Sequence, residues 1–128
     1  MTKSVLITGA SRGLGEGMAR HFAERGYKLA LTARDSASLE QLQAELSAQS
    51  PQVVIKSVDV SNSGTIAGLV RKCARELGGL DIVVVNAGVA LAAAVGEGKF
   101  ESMRQTIAVN LIGAMATADV AVELFREQ

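Results

Sequence analysis

At 128 residues, with 48% hydrophobic and 20% charged side chains, the chain is long enough for one packed domain, too short for two, and far from the composition of a disordered segment. Thirteen Lys and Arg balance thirteen Asp and Glu, which excludes a global field that gathers nucleic acid or an anionic membrane, and 3% aromatic residues exclude base-stacking platforms. A single cysteine, Cys73, and a single histidine exclude an internal disulfide and a Cys/His metal cluster; with no secretory pattern at the N-terminus and no apolar run of about 18 residues, a cytoplasmic protein without metal, nucleic-acid or membrane partners is expected.

Ser4–Thr8, short, apolar and β-branched, reads as the first strand, and Gly15–Arg25 as the helix after it, ended by Gly26. A second strand over Lys28–Thr32 leads to a helix over Ser38–Ala48, where Leu39, Leu42 and Leu46 make one apolar stripe. Val53–Val58 is a third strand, Thr65–Leu77 a third helix ended by Gly78-Gly79, and Asp81–Val85 a fourth strand. Residues 88–98, rich in Ala and Gly, form the longest loop. A last helix begins near Phe100 and runs through Asn110, because Ile107, Leu111, Met115 and Ala118 recur at helical spacing; Gly113 is its weak point. The strands are continuously apolar, so each is expected to be buried on both faces, as in a parallel sheet whose crossovers are helices. The order βαβαβαβα, with no repeat and no break in composition, predicts one open α/β sheet.

The strongest chemical signal is Thr8-Gly9-Ala10-Ser11-Arg12-Gly13-Leu14-Gly15, between the first strand and the first helix. Glycines there permit a tight turn and let a pyrophosphate approach the unpaired amides and positive dipole of the helix N-terminus. The alternative is a turn that merely joins strand to helix. Against it stands a second strand ending about 20 to 25 residues later, where a dinucleotide's ribose is normally read.

The spacing Gly-x-x-x-Gly-x-Gly, followed in order by Asp59-Val60, Asn86-Ala87-Gly88 and Asn110, resembles the motifs of short-chain dehydrogenases/reductases over the whole chain. The resemblance implies a partial NADP(H)-binding, Rossmann-like domain over residues 1–128. Its sheet would be the N-terminal part, strand order 3-2-1-4, of a doubly wound three-layer fold. It implies hydride transfer between NADPH and a carbonyl or secondary alcohol. Gly9, Ser11, Arg12, Gly13, Leu14 and Gly15 then form the cofactor turn, Asp59 and Val60 meet the adenine, and Asn86, Ala87 and Gly88 pass beside the adenosine ribose. Ala33 stands where an NAD-preferring member carries its ribose-binding acid, and Arg34 follows it; Arg34 and Arg12 together would hold a 2′-phosphate, which favours NADP(H). For each arginine the alternative is an ordinary solvated charge. Asp35 is the contrary feature, since a shift of one register makes it an NAD-type ribose acceptor. Asp59 has the alternative of capping a turn with Ser61 and Asn62. Val85 stands where the family often has a second Asn.

Family catalysis uses a Ser, a Tyr, a Lys four residues beyond that Tyr, and a helical Asn. Asn110 matches the Asn, with bonding to a neighbouring backbone carbonyl as its alternative. The other three have no counterpart: Tyr27 is followed four residues later by Leu31. The expectation is a C-terminally truncated, catalytically incompetent nucleotide-binding portion of such an enzyme; the alternative is a non-catalytic dinucleotide-binding or assembly module. A fourth strand left at the sheet edge, with the apolar face around Ile107–Met115, is expected to pair with another chain and give a homo-oligomer.

Overall fold

The computed structural model describes all residues 1–128. Four parallel strands, β1 (Ser4–Thr8), β2 (Lys28–Ala33), β3 (Val53–Ser57) and β4 (Ile82–Val84), lie in the order β3-β2-β1-β4. Between them run α1 (Gly13–Glu24), α2 (Ser36–Leu46) and α3 (Ile66–Leu77), the last entered through a 3₁₀ turn at Ser63–Thr65. A final helical run, Phe100–Glu127, consists of α4 (Phe100–Ile107), a π-helical stretch at Ala108–Gly113, and α5 (Ala114–Glu127).

Strand alternation builds the layers. Val5, Ile7, Leu29 and Leu31 point to one face, under Ala19 and Ala23 of α1 and the predicted stripe Leu39, Leu42 and Leu46 of α2. Leu6, Ala30 and Val54 point to the other, under Ile66, Val70 and Cys73 of α3 and Val120 and Leu124 of α5. Covering both faces of β1 and β2 explains their continuous apolarity. The expectation of full burial fails at the sheet's two edges: Ile82, Val83 and Val84 of β4 are all half-buried, and β3 ends on exposed Ser57. The predicted fourth strand also loses its ends. Asp81, just ahead of β4, still donates its amide to the Ser4 carbonyl at 3.2 Å, and its carboxylate accepts from the Ser4 amide at 2.8 Å and the Ser4 hydroxyl at 3.2 Å.

The last helix departs from expectation in three ways. It is long and apolar enough to cross a membrane by length and composition, although no such run was expected; here the face carrying Val120, Ala121 and Leu124 is buried in the core. It is pinned at its end, where Arg71 of α3 holds Glu123 at 2.8 Å and Glu127 at 2.9 Å, and the Gln128 side chain bonds both the N–H and the C=O of Leu80 at 2.9 and 2.8 Å. And Gly113 is no weak point: a Cβ there would come 2.5 Å from the Val60 carbonyl oxygen, so only glycine lets the helix backbone cross so close to the chain leaving β3. Ile107, Leu111, Ile112 and Met115 face outward and are exposed.

Cys73, fully buried under the sheet, gives a pH prediction. Burial pushes its thiol up to about 11. The unfolded thiol ionises near about 8.5, so between these values only the unfolded chain loses the proton. The stability that the neutral thiol confers is whole below about pH 8.5 and is lost as pH rises toward 11. Urea midpoints measured between pH 8 and 10.5 should fall more steeply for the wild type than for Cys73→Ala; parallel slopes would show that the thiol titrates normally.

Candidate nucleotide site

A cavity of about 490 Å³ opens at the carboxyl ends of the strands. One wall is the β1–α1 turn, with Gly9, Ser11, Arg12, Gly13 and Leu14. A second is the end of β2 and the start of α2, with Ala33, Arg34, Asp35 and Ser38. The segment after β3 adds Val58, Asp59 and Val60, and the segment after β4 adds Asn86, Ala87, Gly88 and Val89. Eleven of the twelve expected cofactor residues thus line one cavity, which lies at the point where the chain reverses its direction of winding across the sheet.

The twelfth, Gly15, lies beneath the turn rather than on it. A Cβ at Gly15 would fall 2.1 Å from the Gly9 carbonyl oxygen and 2.7 Å from Asn86 Nδ2. Gly9 has φ +66°, and its own Cβ would meet Ala87 Cα at 2.8 Å. The turn, the first turn of α1 and the strand end at Asn86 therefore pack backbone to backbone. Arg12 takes the N-cap position in extended conformation without capping the helix itself, so the first amides of α1 remain without an intrahelical acceptor.

Threonine and asparagine fix this arrangement. The Thr8 hydroxyl accepts from the amides of Asn86 at 2.9 Å and Ala87 at 3.0 Å, and Asn86 Nδ2 donates to the carbonyls of Thr8 at 3.1 Å and Gly9 at 3.2 Å. Asn86 organises the glycine turn with its own side chain, a role that its place after a strand did not disclose.

Charge on the second wall is divided. Neither Arg12 nor Arg34 forms an ion pair, whereas Arg20, Lys56, Arg71, Lys99 and Arg104 all do. Asp35 caps α2: it accepts from the Ser38 amide at 3.2 Å and the Ser38 hydroxyl at 2.7 Å, and these bonds hold its carboxyl below the usual range. The helix accordingly starts at Ser36, ahead of the expected Ser38. The turn reading of Asp59 is realised with Ser61, whose hydroxyl and amide reach one carboxylate oxygen at 2.7 and 3.0 Å; together with the nearby charge of Arg34 they lower its pKa. Its other oxygen takes no bond.

Asn110 lies on the π-helical stretch, off the cavity wall. Its Oδ1 accepts from the Val89 amide at 2.8 Å and its Nδ2 donates to the Val89 carbonyl at 2.7 Å, so both ends of the side chain clamp the loop after β4. Tyr27 packs edge-to-face against Phe22 at a centroid distance of 5.0 Å, at the amino end of β2, opposite the cavity. The sequence did not single out Thr32, Ser38, Val89 or Val109 as lining residues; only Val109 carried a signal, its adjacency to Asn110.

A parallel sheet in the order β3-β2-β1-β4 with helices on both faces and a cavity at its switch point defines a Rossmann-like fold. The chain belongs to the short chain dehydrogenase family, whose model matches residues 3–128. An uncharacterised oxidoreductase of Mycobacterium tuberculosis is 39% identical over 98% of this chain and 51% of its own length. An alcohol dehydrogenase from the archaeon Thermococcus sibiricus, solved with 5-hydroxy-NADP, superposes with a TM-score of 0.92 at 34% identity, covering 99% of this chain and 55% of that one. NAD⁺-bound xylitol dehydrogenase superposes with a TM-score of 0.91 at 25% identity, covering 98% and 49%. The chain thus spans about half the length of these three relatives.

Proposed function

We propose that this chain binds NADP(H) and serves as the nucleotide-holding portion of an oxidoreductase acting on a carbonyl or secondary alcohol. The observation that carries this reading is the pair of arginines, Arg12 and Arg34, unpaired on the cavity wall beside Ala33, where an acid would repel a 2′-phosphate. The glycine turn has the shape for a pyrophosphate, with its amides at the head of α1 and no Cβ in the way. The unbonded oxygen of Asp59 suits the exocyclic amine of adenine, and the Val89 loop, held by Asn110, bounds the far side. The bound nucleotide supplies a hydride; the proton for the alkoxide must come from a side chain close to it. Tyr27 lies at the wrong end of β2 for that task, so these 128 residues are expected to bind without turning over.

Calorimetric titration tests the reading. Loss of a charge-assisted contact costs about 1.5–3 kcal/mol, so Arg34→Ala should weaken NADP⁺ by roughly 10- to 100-fold. NAD⁺ binding should stay within about twofold, as it has no phosphate for that arginine to hold. Equal loss for both nucleotides, or none, would overturn the assignment.

We also propose that a second copy of the chain covers the exposed apolar face at Ile107, Leu111 and Met115 and the open edge at β4. Sedimentation velocity should find a dimer that Leu111→Lys dissociates; a wild-type monomer at about 100 μM, well above the micromolar range of specific association, would refute it.

A further inference from the structure

We propose that the π-helical stretch Ala108–Gly113 is a swivel for α4 that an adenine base locks, because the apolar cavity walls the base would touch are all fastened to this one stretch. This rests on the reading of the cavity as a nucleotide site. Val60, Val89 and Val109 line the cavity from three separate segments. Val109 belongs to the stretch itself and is buried. Val89 is gripped at both its amide and its carbonyl by Asn110, at 2.8 and 2.7 Å. Val60 brings its carbonyl oxygen to within 2.5 Å of where a Cβ on Gly113 would stand. The same cavity holds Asp59, whose unbonded oxygen suits the amine of the base.

Helix winding decides which part is free to turn. Val109, Gly113 and Thr117 are all buried, although an ideal α-helix overshoots two turns by about 80° between the first and the last. The wider π winding offsets that drift and keeps the three on one line. At its exit the winding tightens again, where the Ala114 amide donates to the Leu111 carbonyl. If the stretch relaxes to α winding, one side of it must rotate. α5 is held by buried Val120, Ala121 and Leu124, and at its end by the ties of Arg71 and Gln128. α4 has no buried side chain, so the rotation falls to α4 together with Val109 and Asn110, and it loosens Val89. A base seated among the three valines favours the π winding, and the π winding holds the valines for the base. Each stabilises the other by the same free energy. Phe100 and Ile107, both exposed, ride on α4, so the outer surface changes with occupancy of the cavity.

Hydrogen exchange read by mass spectrometry tests this on the whole chain, alone and with NADP⁺, adenosine 2′,5′-bisphosphate or nicotinamide mononucleotide in excess. NADP⁺ and the bisphosphate are expected to slow exchange over residues 100–113 about tenfold or more and to leave residues 117–127 unchanged. Nicotinamide mononucleotide carries no adenine and should slow neither; slowing of 100–113 by it would overturn the adenine lock. Asn110→Ala cuts the tie to Val89, so α4 should then exchange fast with and without NADP⁺. If NADP⁺ binds with the dependence on Arg34 expected above and residues 100–113 respond no more than 117–127, the swivel is overturned and the nucleotide reading stands. A response that survives Asn110→Ala, with only the urea midpoint lowered, reduces Asn110 to a structural tie and overturns the swivel as well. Failure of the wild type to bind NADP⁺ overturns both readings.

Discussion

Replacing Gly15 by alanine is expected to remove nucleotide binding and to lower stability by about 3 kcal/mol, the upper end of what overpacking costs. The added methyl would stand 2.1 Å from the Gly9 carbonyl oxygen, a backbone atom with no flexible end to swing aside. Gly9 cannot retreat either, because it already approaches Ala87 so closely that its own Cβ would lie 2.8 Å from Ala87 Cα. Relief requires the first turn of α1 to lift off the sheet, and that movement carries away the amides of Gly13 and Leu14 that face the cavity. A displacement of about 1 Å suffices to lose close-range binding of this kind. At Gly17, two residues further along the same helix, an added methyl would meet no atom within 4 Å. Gly17→Ala should therefore stabilise by up to about 1 kcal/mol through helix propensity alone and leave titration curves unchanged. Urea unfolding and calorimetry on the two variants check the contrast; Gly15→Ala binding like the wild type would mean that the glycine turn does not shape the site.

Much of this molecule was legible because its signals are local. The two-sided burial of β1 and β2 shows in their unbroken apolar runs, and the stripe Leu39, Leu42 and Leu46 marks the inward face of α2 by spacing alone. The glycine turn declared itself by its place between a strand and a helix. What escaped depends on partners distant in the chain. Nothing near Asn110 announces that its amide will clamp Val89, 21 residues earlier, and nothing near Gly113 announces the carbonyl of Val60 pressed against it. Asp35 was read from the sequence only as a ribose acceptor in a shifted register; its bonds to Ser38 make it the cap of α2, a role that escaped because the helix was expected to begin at Ser38. The strand order 3-2-1-4 came with the family resemblance and is the order observed, but the apolar runs of β3 and β4 did not disclose that edge position leaves them half-buried.

The same substitution at two threonines should act with opposite signs. Thr8 and Thr32 are register partners on neighbouring strands β1 and β2, and both are buried. The Thr8 hydroxyl accepts from the amides of Asn86 and Ala87 at 2.9 and 3.0 Å and itself donates to the Val84 carbonyl at 3.4 Å. Valine keeps the shape and removes the oxygen, stranding two amides at about 1–3 kcal/mol for each buried group left unpaired. Thr8→Val should thus cost about 3 kcal/mol, and because Asn86 and Ala87 form the wall after β4, it should weaken nucleotide binding as well. The Thr32 hydroxyl has no partner at all. Its burial is a standing penalty, and Thr32→Val removes it with almost no change in volume, for a gain of about 1 kcal/mol. Urea unfolding of the two variants reads the difference directly. Destabilisation by Thr32→Val would mean that its hydroxyl bonds to an internal water, and a neutral Thr8→Val would mean that the ends of β1 and β4 are held by the ladder alone.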